Sequence, residues 1–407
     1  MADQPPPYAG PTASSSEPSD DTKPAVLIIG GLGYIGRFLA LHLHKNNLAC
    51  SIRLVDKVLP QLARLAPEFL DACSPSNFLQ ADASREQSLA KIFTPPASCP
   101  RKEYTYVFNC GGETRYSQED AVYKARSVEL SVNLARECAR RKTPALVEFS
   151  TGQIYKPPNS STVKSGGCKE DATTKPWTKL AKYKLFAEEE LEKLRKTEQL
   201  RYVVLRLGHV YGPYDMGYLA RGLCLAKVYE RKREEMKWLW TKDLRVNTVH
   251  VEDVCAAALH AAKWCASPAA DQEPAGLDKR TFNIVDQGDT SQGTLTTIFS
   301  QLFDLKTGFQ GSLISSFARF NMESVVDDVN EEILGPWADL LKDHGITDSG
   351  PLSPFMEKEL LRDCDLCLDA GRARRVLGWK VEGGREALTV EGVRDVLDSY
   401  RRMGWWP

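Results

Sequence analysis

The chain has 407 residues, 42% of them hydrophobic, and a formal net charge of −1. That length allows one large domain or two moderate ones with a sizeable core, and the near-neutral balance gives no electrostatic footprint for nucleic acid or an anionic membrane surface. No apolar run approaches the roughly 18 residues of a spanning helix, so no membrane span is expected. Eleven cysteines, an odd number at irregular spacing, point to reduced thiols and a cytoplasmic location rather than a disulfide framework. Cys364 and Cys367 form a Cys-x-x-Cys pair without a second such pair, so it reads as incidental and no metal is expected.

Residues 1–24 are rich in Pro, Ser, Asp and Ala, show no periodicity and are expected to form a disordered tail. The tail is acidic, contains no Arg and lacks an apolar signal core, which argues against secretion and mitochondrial import. Then Val26-Leu27-Ile28-Ile29 reads as a buried strand. It is broken by Gly30-Gly31-Leu32-Gly33-Tyr34-Ile35-Gly36, and residues 37–48 carry helical spacing. A strand that ends in glycines and opens a helix is the dinucleotide-binding turn. One Gly permits the sharp turn, one lets a pyrophosphate approach the backbone, and one lets helix and strand pack closely. The helix N-terminus then offers N–H groups and a positive dipole end to the phosphates. Two glycine spacings fit, Gly31-x-Gly33-x-x-Gly36 and Gly30-x-x-Gly33-x-x-Gly36.

The next strand, 51–56, ends on Asp56, 20 residues after Gly36, where an adenosine ribose hydroxyl needs an acceptor. A carboxylate there would repel a 2′-phosphate, which favours NAD over NADP. A third strand, 78–82, closes on Asp82, followed by Ala83. A helix over 84–93 and a Pro-rich loop precede the fourth strand, 104–109. It closes on Asn109, and the small residues Cys110 and Gly111 after it would let backbone lie against a nicotinamide ribose. Helix 120–141, strand 145–151, helix 177–196 and strand 201–210 complete the alternation, the pattern of a parallel, doubly wound α/β sheet. The expected domains are a Rossmann unit over 25–210 and a smaller C-terminal substrate region over 211–407. About 240–265 is expected to return to the sheet, and 305–361 to form a helical insertion that caps the pocket or binds a protein partner.

Assembled, these residues resemble the extended short-chain dehydrogenase/reductases of the NAD-dependent epimerase/dehydratase group. The resemblance covers roughly residues 25–400. It rests on the glycine turn, Asp56, Asp82, Asn109-Cys110-Gly111-Gly112, Ser150-Thr151-Gly152-Gln153-Ile154-Tyr155, Leu205-Arg206-Leu207-Gly208-His209-Val210-Tyr211-Gly212-Pro213, residues 244–254 and Leu377-Gly378-Trp379. It implies NAD as cofactor and a small-molecule substrate that carries a hydroxyl, such as a nucleotide sugar. It also implies a homodimer built on the helices near 120–141 and 177–196. In the family a Ser/Thr and a Tyr four residues before a Lys exchange a proton with the substrate while hydride moves to or from the nicotinamide. Thr151 matches the Ser/Thr. Glu188, four residues further on, selects Lys184 over Lys182 as the Lys, which puts Leu180 where the tyrosine would stand. An Asn usual in the helix after the fourth strand falls at Ser127. His209 replaces another common Asn and is a candidate acid/base group. Glu113 and Tyr116 are candidates for the substrate's proton group. Arg245 occupies a position that binds a diphosphate in relatives, or forms a salt bridge with Asp253. Two function classes follow: an oxidoreductase or epimerase with a relocated proton group, or a dinucleotide-binding scaffold or regulator with little turnover.

Overall fold

The computed structural model describes residues 22–407. The tail expected over 1–24 lies outside the described residues except at its end. There Lys23 is buried, its carbonyl accepts from Arg101 Nε at 2.7 Å, and the Pro24 carbonyl accepts from Cys50 N at 3.0 Å. Residues 22–24 therefore belong to the folded body.

The strands in chain order are β1 Ala25–Ile29, β2 Ser51–Asp56, β3 Phe78–Gln80, β4 Tyr106–Asn109, β5 Ala145–Thr151, β6 Tyr202–Leu207, β7 His209–Tyr211, β8 Met236–Trp238, β9 Thr248–His250, β10 Thr281–Ile284 and β11 Thr307–Phe309. Seven form one parallel sheet in the order β10-β6-β5-β4-β1-β2-β3. The chain winds outward from β1 to β3, then restarts at β4 on the other side, so the strand order reverses between β1 and β4. That reversal leaves a crevice at the carboxyl ends of the strands. The α/β, Rossmann-type sheet expected from the alternation is the architecture found. The seventh strand, β10, lies beyond the stretch expected to return to the sheet.

The helices are α1 Tyr34–Lys45, α2 Glu86–Ile92, α3 Asp120–Tyr123, α4 Leu130–Arg140, α5 Ser160–Lys164, α6 Lys179–Glu198, α7 Tyr218–Lys232, α8 Val251–Ala266, α9 Pro268–Gln272, α10 Gln292–Phe303, α11 Ser312–Phe320, α12 Met322–Asp343 and α13 Val390–Arg402. β1 is buried along its whole length because helices cover both sheet faces. Val26 and Ile28 point to the layer of Leu39, Leu43, Val254 and Ala258 on α1 and α8. Leu27 and Ile29 point the other way, to Leu130, Leu134 and Leu191 on α4 and α6. Each such fully buried side chain contributes about 1.5–3 kcal/mol. Helices α11 and α12 fall within 305–361, and the chain after them brings Glu357 and Leu360 to the carboxyl ends of the strands. Among the described residues, no helix is long and apolar enough to cross a membrane.

Candidate active site

A cavity of about 760 Å³ fills the crevice, within the range of small-molecule sites. Its first end is the glycine turn. Gly30 has φ +67°, and a Cβ on it would meet Gly111 N at 2.8 Å, so this is the residue that makes the turn. A Cβ on Gly36 would lie 2.3 Å from the Gly30 carbonyl, so this residue lets α1 cross β1. Gly33 has open space on the cavity side, with nothing but the Gly30 carbonyl within 4 Å of its Cβ position. The working spacing is thus Gly30, Gly33, Gly36. Gly31 packs on Leu54 instead, and neither Gly31 nor Gly36 lines the cavity. Gly33 brings no capping side chain to α1, which leaves that helix end to a ligand. Tyr34 and Ile35 line the cavity, though the Tyr34 hydroxyl is buried without a hydrogen-bond partner among the described residues. Arg37, unnoticed in the sequence, is buried and donates to the carbonyls of Leu32 and Ala63 at 3.0 Å, holding the turn in shape.

Asp56, Asp82, Ala83, Cys110 and Gly111 all line the same end. The Asp56 carboxylate is fixed by Leu32 N at 3.2 Å and Val58 N at 3.1 Å. Burial pulls the Asp82 carboxyl upward, but Ser84 N and Oγ, at 3.0 and 2.6 Å, hold it below the usual carboxylate range. Asn109 is a correction: it is fully buried away from the cavity. Its amide donates to Glu148 Oε2 at 2.6 Å and Ser131 Oγ at 3.1 Å, and its oxygen accepts from Gly111 N at 3.2 Å. It shapes the loop that carries Cys110 and Gly111.

The middle of the cavity holds Thr151, Leu180 and Lys184. Lys184 Nζ donates to the Phe149 carbonyl at 2.7 Å and pairs with Glu148 Oε1 at 3.4 Å. Glu148 is wholly buried, and burial pushes its carboxyl above the usual range, with Lys184 pulling it back. A charged residue in a strand covered on both faces was the signal for this pair. Glu188 forms its ion pair with Arg206 on β6, at 2.6 Å, rather than with Lys184. A one-turn π-helical stretch, Lys124–Glu129, joins α3 to α4 and turns Ser127 inward, where its Oγ accepts from Glu113 N at 3.3 Å. Ser150 Oγ is buried at the wall with no hydrogen-bond partner among the described residues. The open Gly33, the uncapped helix end, the anchored Asp56 and this orphaned hydroxyl fit a dinucleotide laid from Gly33 to Thr151.

The far end is made of side chains. Glu113 is bonded by Arg115 Nε at 2.9 Å and Arg126 Nη1 at 2.7 Å. Burial works against ionisation, but the two guanidiniums hold its carboxyl down at about 2. Glu113, one of the two candidates for the proton group, is thus held as an anion between two arginines. The Tyr116 hydroxyl accepts from Gln153 Nε2 at 3.1 Å. His209 lies in the wall, stacked on Tyr218 with centroids 4.4 Å apart, and burial lowers its imidazole to about 4, so it is neutral near pH 7. Near pH 7 it therefore has no imidazolium proton to give as an acid. Arg245 is a second correction: it lies outside the main cavity, in a cleft of about 20 Å³ behind it, bonded to Asp289 at 2.7 Å. Asp253 bonds Arg385 instead, at 2.8 Å. Arg221, Glu357 and Leu360, none of them singled out in the sequence, close this end; Arg221 pairs with Glu357 at 3.0 Å and donates to the Phe355 carbonyl. Trp238 packs on Phe299 and Trp240 donates to the Leu361 carbonyl, so both indoles are packing groups. Among the described residues, no cluster of His, Cys, Asp and Glu could hold a metal ion.

The fold and this crevice define a dinucleotide-type α/β protein with room for a second ligand. The model of the NAD dependent epimerase/dehydratase family matches residues 26–284, and the chain belongs to that family, whose cofactor is NAD. No curated protein has a sequence that matches the chain. Among solved structures, it is similar to the Bordetella bronchiseptica enzyme WbmG in complex with NAD and UDP. The TM-score is 0.61 at 15% identity, covering 95% of this chain and 97% of that one. It is also similar to UDP-glucose 4-epimerase from Thermotoga maritima with UDP-glucose, at TM-score 0.60, 18% identity and coverage of 93% and 99%. A third is the UDP-glucuronic acid 4-epimerase of Bacillus cereus, at TM-score 0.61, 14% identity and coverage of 93% and 99%.

Proposed function

We propose that the chain is an NAD-dependent oxidoreductase of the epimerase/dehydratase kind, acting on a hydroxyl-bearing nucleotide sugar, with Leu180 in place of the usual catalytic tyrosine. One observation carries the reading: a single cavity runs from Gly33, past Thr151 and Lys184, to Tyr116 and Glu357. A cofactor and a substrate would share that space with their reacting atoms in its middle. NAD, when bound, supplies a hydride acceptor there. Gly33 and the α1 N-terminus bind its pyrophosphate, and Asp56 and Asp82 bind the adenosine end. Lys184 holds the nicotinamide ribose, and the Thr151 hydroxyl, which accepts from Gln153 N at 3.2 Å, keeps its proton free to donate to the substrate oxygen. The nucleotide-sugar class draws on what the solved relatives bind. Residues 25–210 with β10 form the cofactor unit, the later segments supply the substrate side, and the homodimer uses the helices near 120–141 and 177–196.

A second reading, a dinucleotide-binding regulator with little turnover, draws on the pairing of Lys184 with Glu148 and on the apolar Leu180 at the cavity wall. Calorimetric titration with NAD⁺, NADH, NADP⁺ and NADPH tests the shared part. NAD(H) is expected to bind more tightly than NADP(H), and Asp56→Ala to lose about 10–100-fold in affinity, the worth of a charge-assisted hydrogen bond. If no dinucleotide binds, both readings fall. If NAD binds, reduction of the bound cofactor by UDP-glucose or UDP-glucuronic acid favours the enzyme.

A further inference from the structure

With Leu180 unable to exchange a proton, the cavity must supply that group from elsewhere, and its hydrogen bonds can be followed from the backbone outward. Thr178 is the N-cap of α6, and its Oγ1 accepts from Ala181 N at 3.1 Å. The Thr178 proton is therefore turned to Gln153 Oε1, 3.0 Å away. With its oxygen taken, the Gln153 amide presents Nε2 to Tyr116, whose hydroxyl accepts at 3.1 Å. Each link fixes the direction of the next. At the end of the relay the Tyr116 phenol oxygen accepts from Gln153, and its own proton has no acceptor among the described residues. The same Gln153 donates its backbone N–H to Thr151 Oγ1, at 3.2 Å. One residue thus sets both hydroxyls, and both line the cavity that Leu180 and Lys184 also line.

We propose that Tyr116 is the catalytic residue that exchanges the substrate proton, and that Gln153 and Thr178 are its positioning residues. This rests on the oxidoreductase reading above. In the reducing direction a bound reduced dinucleotide would supply hydride to the substrate carbonyl carbon. The carbonyl π pair moves onto oxygen, and that oxygen takes the Tyr116 phenolic proton. The Gln153 amide holds the phenolate left behind until a solvent proton replaces the one given. Oxidation of a hydroxyl runs the same transfers backwards. Burial, with Glu357 and Glu359 adding to it and the Gln153 amide and Arg221 working against it, leaves the Tyr116 phenol raised to about 12. At neutral pH it is a proton carrier. The oxidised nicotinamide is cationic, so a dinucleotide held by Gly33, Asp56 and Lys184 in the same cavity would favour the Tyr116 phenolate, and its reduced form would not.

The test uses full-length protein with 3-fluorotyrosine at position 116, whose fluorine resonance reports ionisation of that one phenol. With saturating NAD⁺ its midpoint is expected about one pH unit or more below that with NADH. Gln153→Leu is expected to raise the midpoint in both forms. The proposal is overturned if the midpoint is the same with NAD⁺ and NADH, or is insensitive to Gln153→Leu, while calorimetry shows NAD⁺ bound. Absence of any dinucleotide binding overturns the oxidoreductase reading itself, and this proposal with it.

Discussion

The two ends of the cavity are built by opposite means. The glycine end is shaped by backbone and by missing side chains: Gly30, Gly33 and Gly36 lie within seven residues, and each works because it has no Cβ. The far end is shaped by side chains from separate stretches, 113–126, Gln153, 207–221 and 357–360, held by paired charges such as Glu113 with Arg126 and Arg221 with Glu357. A site made by omission tolerates few substitutions and keeps its shape without a ligand. A site made by ion pairs can change its lining without changing the fold. This is why the family's cofactor end is recognisable here while its substrate end is not.

The contrast is broken most severely where the two ends meet, at the buried pair of Lys184 and Glu148. Glu148→Ala leaves the Lys184 amine in the interior with the Phe149 carbonyl as its remaining partner, and takes one acceptor each from the Asn109 amide and the Ser131 hydroxyl, which keep only their bond to each other. Removal of one partner of a buried pair costs about 3–5 kcal/mol. Urea unfolding at neutral pH should show this loss as a lower midpoint at unchanged slope. A neutral result would mean that the ion pair does not hold the middle of the cavity. The glycine end gives the next effect. Gly36→Ala places a Cβ 2.3 Å from the Gly30 carbonyl, and α1 must lift off β1 to relieve it. About 2–3 kcal/mol of overpacking is expected, read as a lower melting temperature together with weaker NAD⁺ binding. If stability falls but affinity does not, the turn is rigid without being the phosphate cradle.

The same contrast decides what the sequence could reveal. Strand, glycines, helix and Asp56 lie in one short stretch, and their roles follow from spacing alone. Even so, the choice between Gly30 and Gly31 as the turn residue needed the φ of +67° at Gly30. Asn109 and Arg245 were misplaced for a common reason: position along a motif says nothing of which neighbour a side chain meets. Asn109 faces Glu148 across the β4–β5 pair and is drawn inside, and Arg245 is drawn outward by Asp289, 44 residues on. Gln153 stood inside a quoted motif, but its amide became meaningful when Thr178 and Tyr116, 62 residues apart in the chain, were brought to its two ends. β10 was missed because its partner β6 lies more than 70 residues earlier, and a four-residue strand carries too little periodicity to announce itself.

The smallest effect belongs to Glu113, and it sharpens the account of how the far end is held. Its carboxyl, ordinarily near 4.5, is held at about 2 in the fold. Between those values the unfolded chain binds the proton that the folded chain refuses, so stability rises with pH across that window. The contribution is complete above about 4.5 and is lost as pH falls towards 2. Its partners Arg115 and Arg126 are 62% and 45% exposed, so solvent screens the pairs, and about 1 kcal/mol or less is at stake. Glu113→Gln cannot ionise. Its melting temperature should be slightly lower than that of the parent chain at neutral pH, and the two curves should converge as pH falls below 4.5. Parallel curves would mean that the two arginines stand where they do without Glu113. The far end would then be shaped by the 350–361 segment packed over it, rather than by charge.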